Sequence, residues 1–182
     1  MIWVSILAVL VLFFSFIGGL KEGAVKNSFS LLALIIAIPL TGASYHLLAA
    51  IFSFLPGEDW ESFVGFFVTL ALIIIILHLV FLLPRKFMQK AWNKGVFFRL
   101  IGGALNIFNP AIGMVVFTLL IRAYPIFGWL EQAVTDSSVL TWLVTHLSFV
   151  QAMLPEVFQD AATSVATGPT LSLMNKIIIF PT

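Results

Sequence analysis

Gly102, Asn106, Asn109 and Gly113 are spaced by four, three and four, which sets them on one face of a helix with Pro110 beside them. Two chemistries fit such a face. Small residues let helix backbones approach closely, and asparagine amides hydrogen-bond across the contact. The same amides would also line a polar track for an ion or small solute; packing is the plainer of the two readings. Pro110 removes one N–H and frees the carbonyl of Asn106, and Pro39 does the same to the carbonyl of Ile35. Both prolines begin a P-x-x-G, Pro39-Leu-Thr-Gly42 and Pro110-Ala-Ile-Gly113. Paired broken helices in matching halves of a membrane chain point to a transported substrate, whereas two tolerated kinks that shape packing are the simpler expectation.

Other chemistries are poorly supplied. The chain has no cysteine, which removes disulfides, thiolate metal sites and cysteine nucleophiles. His46 and His78 stand about 20 Å apart in depth, counted along their helices, too far to share a metal. His146 lies in the C-terminal part. The apolar stretches hold no H-x-x-x-H, carboxylate pair or Ser–His–Asp set. Ile17-Gly-Gly-Leu20 and Ile101-Gly-Gly-Ala104 lack the pattern of a phosphate loop. No carboxylate lies within an apolar stretch, which disfavours a proton relay; Glu22 at a boundary is the nearest candidate. The expectation is a protein that is not an enzyme and has no cofactor and no metal.

The elements that must carry these residues follow from where charge is absent. Of 182 residues, 61% are hydrophobic, 9% are charged and 19 are phenylalanine. An ordinary soluble domain is about 25% charged. The composition excludes a soluble globular enzyme, a disordered chain and a nucleic-acid binder. Met1–Leu20, Asn27–Leu55, Ser62–Leu83 and Leu100–Ile121 contain no Asp, Glu, Lys or Arg. A charge at mid-bilayer costs about 2.5–3.5 kcal/mol on insertion scales, and about 20 apolar residues cross the hydrocarbon core. These four windows predict four transmembrane helices. Met1 runs directly into apolar residues without a basic region, so the first is expected to be a retained helix and not a cleaved signal peptide. Ser28–Leu55 would be about 42 Å long as one helix, so a kink at Pro39 and Gly42, or an end lying along the interface, is expected.

Seven of nine basic residues lie in two connections: Lys21 and Lys26 in the first, and Arg85, Lys86, Lys90, Lys94 and Arg99 in the third. The second, Pro56–Glu61, carries Glu58, Asp59 and Glu61 and no base. The positive-inside rule puts the first and third connections in the cytoplasm and both termini outside, with Trp60 and Trp129 as outer-interface anchors. Glu58 and Ser137 are then expected to be accessible from outside, and Lys90 from inside. Lys86, Lys90 and Lys94 recur every four residues beside Phe87, Ala91 and Trp92. Such a helix lies on the inner leaflet, and Arg85, Lys86, Lys90, Lys94 and Arg99 are expected to meet anionic lipid there, unless the charges serve only as a topology signal.

The predicted fold is an all-α integral membrane protein: four transmembrane helices in two hairpins plus an outer amphipathic helical tail. Residues 1–122 form the membrane domain. Residues 123–160 form an interfacial segment in which Leu140, Leu143, Val144, Leu147 and Val150 make an apolar stripe, and Ser137–Pro155 is read as lying on the membrane instead of crossing it. Residues 161–182 read as a flexible tail. Four helices enclose only a small core, so a second copy of the chain or another membrane protein is a plausible partner, in addition to the bilayer itself.

Gly18-Gly-Leu-Lys-Glu-Gly23, followed by Ser28 and Ser30 in an apolar helix, resembles the start of colicin V production membrane proteins. Phe98-Arg-Leu-Ile-Gly-Gly-Ala-Leu105 is similar to that family's D-R-L-x-G-x-x-x-G stretch, and Trp129, Ser137 or Ser138 and Leu154-Pro155 are similar to its tail. The resemblance spans roughly residues 1–160. It departs at Trp3-Val-Ser-Ile6, where the family often has an acid, and at Phe98, where an acid precedes the arginine. Asn106 stands at the second glycine, and Asn109-Pro110 at a basic-glycine pair. The resemblance implies a multi-pass bacterial inner-membrane protein, linked to colicin V production or export and to envelope homeostasis, and it supplies no mechanism.

Overall fold

The computed structural model describes residues 2–52, 58–92, 95–124 and 128–155. The described residues are helical, with no strand among them: α1 (Ile2–Glu22), α2 (Ala24–Ala49) with a 3₁₀ turn at Ala50–Phe52, α3 (Glu58–Val80), α4 (Leu82–Trp92), α5 (Val96–Ala123), α6 (Gly128–Thr135), α7 (Ser138–His146) and α8 (Ser148–Ala152). Four helices, α1, α2, α3 and α5, are long and apolar enough to cross a bilayer. Large apolar side chains such as Phe13, Phe14, Phe67, Ile75, Ile76 and Leu79 point outward along them. An apolar surface on this scale suits lipid and not water.

One residue, Gly23, joins α1 to α2. Its φ of +82° is open to glycine and strained for other residues. The two helices leave this turn splayed and scarcely touch. α5 fills the opening, antiparallel to α1 and parallel to α2, and α3 packs on the far side of α2. The membrane helices therefore stand in the order α1–α5–α2–α3. The spans that pack most closely are α1 with α5 and α2 with α3, which are not the predicted hairpin pairs α1–α2 and α3–α5.

Contacts between helix ends fix which connections lie together. Asn27 near the start of α2 meets Gly19 at the end of α1 and Gly102 near the start of α5. Phe29 on α2 packs on Phe81 just beyond α3, ring centroids 5.6 Å apart. Lys21, Lys26, Arg85, Lys86 and Arg99 thus gather at one end of the bundle, with α4 lying against α2 and α3 there. At the opposite end Tyr45 packs on Phe66 of α3, centroids 5.6 Å apart, and its hydroxyl lies 3.4 Å from that of Tyr124.

Both proline-bearing helices run without interruption, α2 through Pro39 and α5 through Pro110. They are not broken helices. Thr41 and Ser44 send their hydroxyls back to the carbonyls of Ala37 and Leu40 on their own helix, at 2.7 Å each. α2 is about 39 Å long, enough to cross the hydrocarbon core with its ends in the interfaces.

The α6–α8 segment is three short helices, none long enough to span. Its apolar stripe faces protein: Leu140, Leu143, Val144, Leu147 and Val150 are buried in one core with Ile112, Val115, Val116, Leu119 and Leu120 of α5 and Ala8 of α1. A stripe read from the sequence as covering lipid is covered by α1 and α5. Ser137 caps α7, accepting from Leu140 N, and its hydroxyl lies 2.9 Å from that of Ser5 on α1. Gln151 Nε2 donates to Val144 O at 2.5 Å and ties α8 to α7. The predicted tail at 161–182 lies outside the described residues.

Candidate functional site

The candidate site is the junction of α1, α2 and α5 near the basic end. Glycine sets its spacing. A Cβ on Gly19 would stand 2.5 Å from both Asn106 Cβ and the Gly102 carbonyl oxygen. A Cβ on Gly102 would stand 2.6 Å from the Gly23 carbonyl carbon and 2.8 Å from Ala24 N. Neither position has room for a methyl group, so backbone lies directly on backbone. Gly103 faces α1 through Phe16 and Leu20. Close approach of this kind maximises dispersion between helices, which lipid does not otherwise drive together.

Hydrogen bonds then fix the register. Ser15 Oγ donates to the Asn106 carbonyl at 2.7 Å, and Asn106 Nδ2 donates back to the Ser15 carbonyl at 2.6 Å. The carbonyl that Pro110 frees is the one that Ser15 satisfies. Asn27 is 1% exposed, and its Nδ2 donates to the Gly102 carbonyl at 2.9 Å and more weakly to the Gly19 carbonyl at 3.4 Å. One amide thereby bonds all three helices. Asn109 stands at the edge of the set: its Nδ2 donates to Asn106 Oδ1 at 3.4 Å, while its own Oδ1 is buried without a partner.

The predicted stripe divides along its length. Gly102 and Asn106 are inside the junction, and Asn109 and Pro110 border it. Gly113 is exposed, with open space where a Cβ would go. Pro39 is exposed on α2. Gly42 serves a different contact, since a Cβ there would meet Pro155 Cδ at 2.9 Å. The two P-x-x-G stretches therefore have unlike surroundings. Ser15, Gly19, Gly23 and Asn27 belong to the site and were not picked out from the sequence as site residues. The available signal was Ser15 four residues before Gly19 and eight before Gly23, a polar-small line on one face of α1 and its turn.

The basic residues fall into two groups. Arg85 and Lys86 sit on α4, the first half-buried and the second exposed; Lys90 is on the same helix. Lys94 lies outside the described residues. Arg99 belongs to the first turn of α5 and shares a cleft with Lys21 of α1. Glu22 and Lys26 form an ion pair four residues apart. The histidines are apart: His46 lies against Tyr45 at the acidic end, His78 Nδ1 is 3.1 Å from Ile74 O near the basic end, and His146 stacks on Trp142. Among the described residues no three His, Cys, Asp or Glu side chains are grouped to hold a metal.

Four bilayer-length helices held by glycine contacts and amide-to-backbone bonds define a polytopic α-helical membrane protein. The family model described as "Colicin V production protein" matches residues 4–148. The chain belongs to that family. The match covers α1 through α7, so the helices of the junction and most of the segment packed on them lie inside it. Comparison with curated proteins gives no match, and neither does comparison with solved structures.

Proposed function

We propose that this chain is a non-catalytic protein of the bacterial inner membrane, acting in toxin production or export or in envelope homeostasis by organising helices, lipid or partner proteins. Its basic end faces the cytoplasm and both termini face outward. The observation that supports a scaffold is the use made of the amides. Asn27 and Asn106 spend their donors on the backbone of neighbouring helices, and the carbonyl freed by Pro110 accepts from Ser15. Buried polar groups used this way fix a packing arrangement and offer little to a passing solute.

A second reading, a small transporter or channel component, draws on the unpartnered Asn109 Oδ1 beside Pro110. Asn109→Leu separates the two. A scaffold keeps its assembly and restores envelope function to a bacterial strain lacking the chain. A transporter keeps its assembly and loses a flux measured in proteoliposomes. Solute movement by the wild-type protein that Asn109→Leu abolishes would replace the scaffold reading with the transport one.

A further inference from the structure

We infer that the cleft between the end of α1 and the start of α5 is a binding site for the headgroup of an anionic phospholipid, held by Lys21 and Arg99. The cleft measures about 560 Å³ and is lined by Leu20, Lys21, Val96, Arg99 and Leu100. Both cations are exposed, and no carboxylate among the described residues pairs with either. The adjacent acid, Glu22, is engaged with Lys26. The remaining walls are apolar and outward-facing, with Val96 73% and Leu100 52% exposed. A ligand that suits this site carries negative charge at one end and hydrocarbon at the other. The cleft stands where the spans α1 and α5 end, the depth at which a phospholipid changes from headgroup to acyl chain.

The two cations come from different helices. α1 and α5 are locked in register by the Ser15–Asn106 bonds and the Gly19–Gly102 contact, so the spacing of Lys21 and Arg99 is set before a lipid arrives. With both Cα positions fixed, the chain need not rearrange to bring the two cations to one ligand, and only the side chains are ordered on binding. Arg99 also presents a planar fork that matches phosphate oxygens, which a lysine does not. The site thereby differs from α4, where Arg85 and Lys86 offer charge on a single amphipathic helix.

This inference rests on the reading of the chain as bilayer-spanning, and is independent of its orientation and of any envelope role. The test uses the full chain purified in detergent, titrated with phosphatidylglycerol or phosphatidylcholine, with retained lipid counted by native mass spectrometry. Lys21→Gln with Arg99→Gln is compared with Arg85→Gln with Lys86→Gln, which removes the same charge outside the cleft. At about tenfold per 1.4 kcal/mol and about 1 kcal/mol per basic residue, the first pair is expected to weaken phosphatidylglycerol retention about 30-fold. The second pair is expected to weaken it far less, and phosphatidylcholine retention is expected not to change. Equal loss in both pairs would show diffuse attraction to the basic end and overturn the site, as would no loss in either. Displacement of the lipid by millimolar inorganic phosphate would make the ligand a free anion and overturn the lipid assignment. If the glutamine pair fails to fold, Val96→Glu keeps both cations, places an acid in the cleft, and is expected to cause a comparable loss; retention at the wild-type level would again overturn the site. Because lipid is counted on isolated protein, failure here leaves the scaffold reading standing.

Discussion

Ser15 and Asn106 exchange two hydrogen bonds between α1 and α5, one of them closing on the carbonyl that Pro110 leaves without its helical donor. The sequence feature that weakens α5 and the one that repairs it lie on different helices. Repair therefore requires assembly, and the pair couples the local geometry of α5 to the packing of α1.

Ser15→Ala should destabilise the protein in detergent by about 1–2 kcal/mol, the cost of leaving a half-buried carbonyl unmet. The same substitution in a Pro110→Ala background should cost much less, since an alanine in place of the proline restores the helical N–H. Thermal melts of the wild type, both single variants and the double variant measure the coupling. Additive effects would mean that Ser15 acts through something other than that carbonyl.

Gly19→Ala should destabilise the protein, whereas Gly113→Ala should leave its stability unchanged or slightly raised. The first drives a methyl group into Asn106 and Gly102, whereas the second meets open space and improves helix propensity by up to about 1 kcal/mol. The fraction of protein eluting as a monodisperse peak after extraction reads the difference. Equal tolerance at both positions would contradict the α1–α5 contact.

Asn27→Leu is close in volume but removes the amide that bonds Gly102 and Gly19. A loss of about 1–2 kcal/mol is expected in the same thermal melts, with a leucine unable to offer a donor in a site that excludes water. Asn27→Asp, which keeps shape but not the donor, should be at least as damaging because it also buries charge.

Ser137→Ala should loosen α6–α8 without unfolding the spans, because it removes the α7 cap and the contact to Ser5 together. Limited proteolysis should cut the variant within residues 128–155 sooner than the wild type, while the spans stay intact. Loss of the whole bundle would show that the segment is integral to the membrane domain.

Much of the fold was legible because charge marks it. Excluding every ionic residue from four stretches is costly to achieve by accident, and α1, α2, α3 and α5 fall on those stretches. The helical spacing of Leu140, Leu143, Val144, Leu147 and Val150 also predicted one buried face. What covers that face was not legible, since an apolar stripe satisfies lipid and protein alike and only α5's own stripe decides between them. The site was legible by halves. Gly102 and Asn106 announced themselves by spacing within one helix. Ser15 and Asn27 did not, because their four-residue spacing with Gly19 and Gly23 runs across a helix break, and their partners are set by how far α1 and α2 splay at Gly23. Ser137 shows the same limit: proposed as an accessible probe position, it is fully buried, and its neighbour Ser138 is the exposed one.

Sidedness is directly readable with single cysteines, because the chain has no native cysteine. Glu58→Cys, Lys86→Cys and Ser138→Cys are each probed in intact spheroplasts with a membrane-impermeant maleimide. Labelling is expected at positions 58 and 138 from outside and at position 86 only after the membrane is opened. Labelling of position 86 in intact spheroplasts, or positions 58 and 138 responding on opposite sides, would contradict four crossings with the basic connections in the cytoplasm.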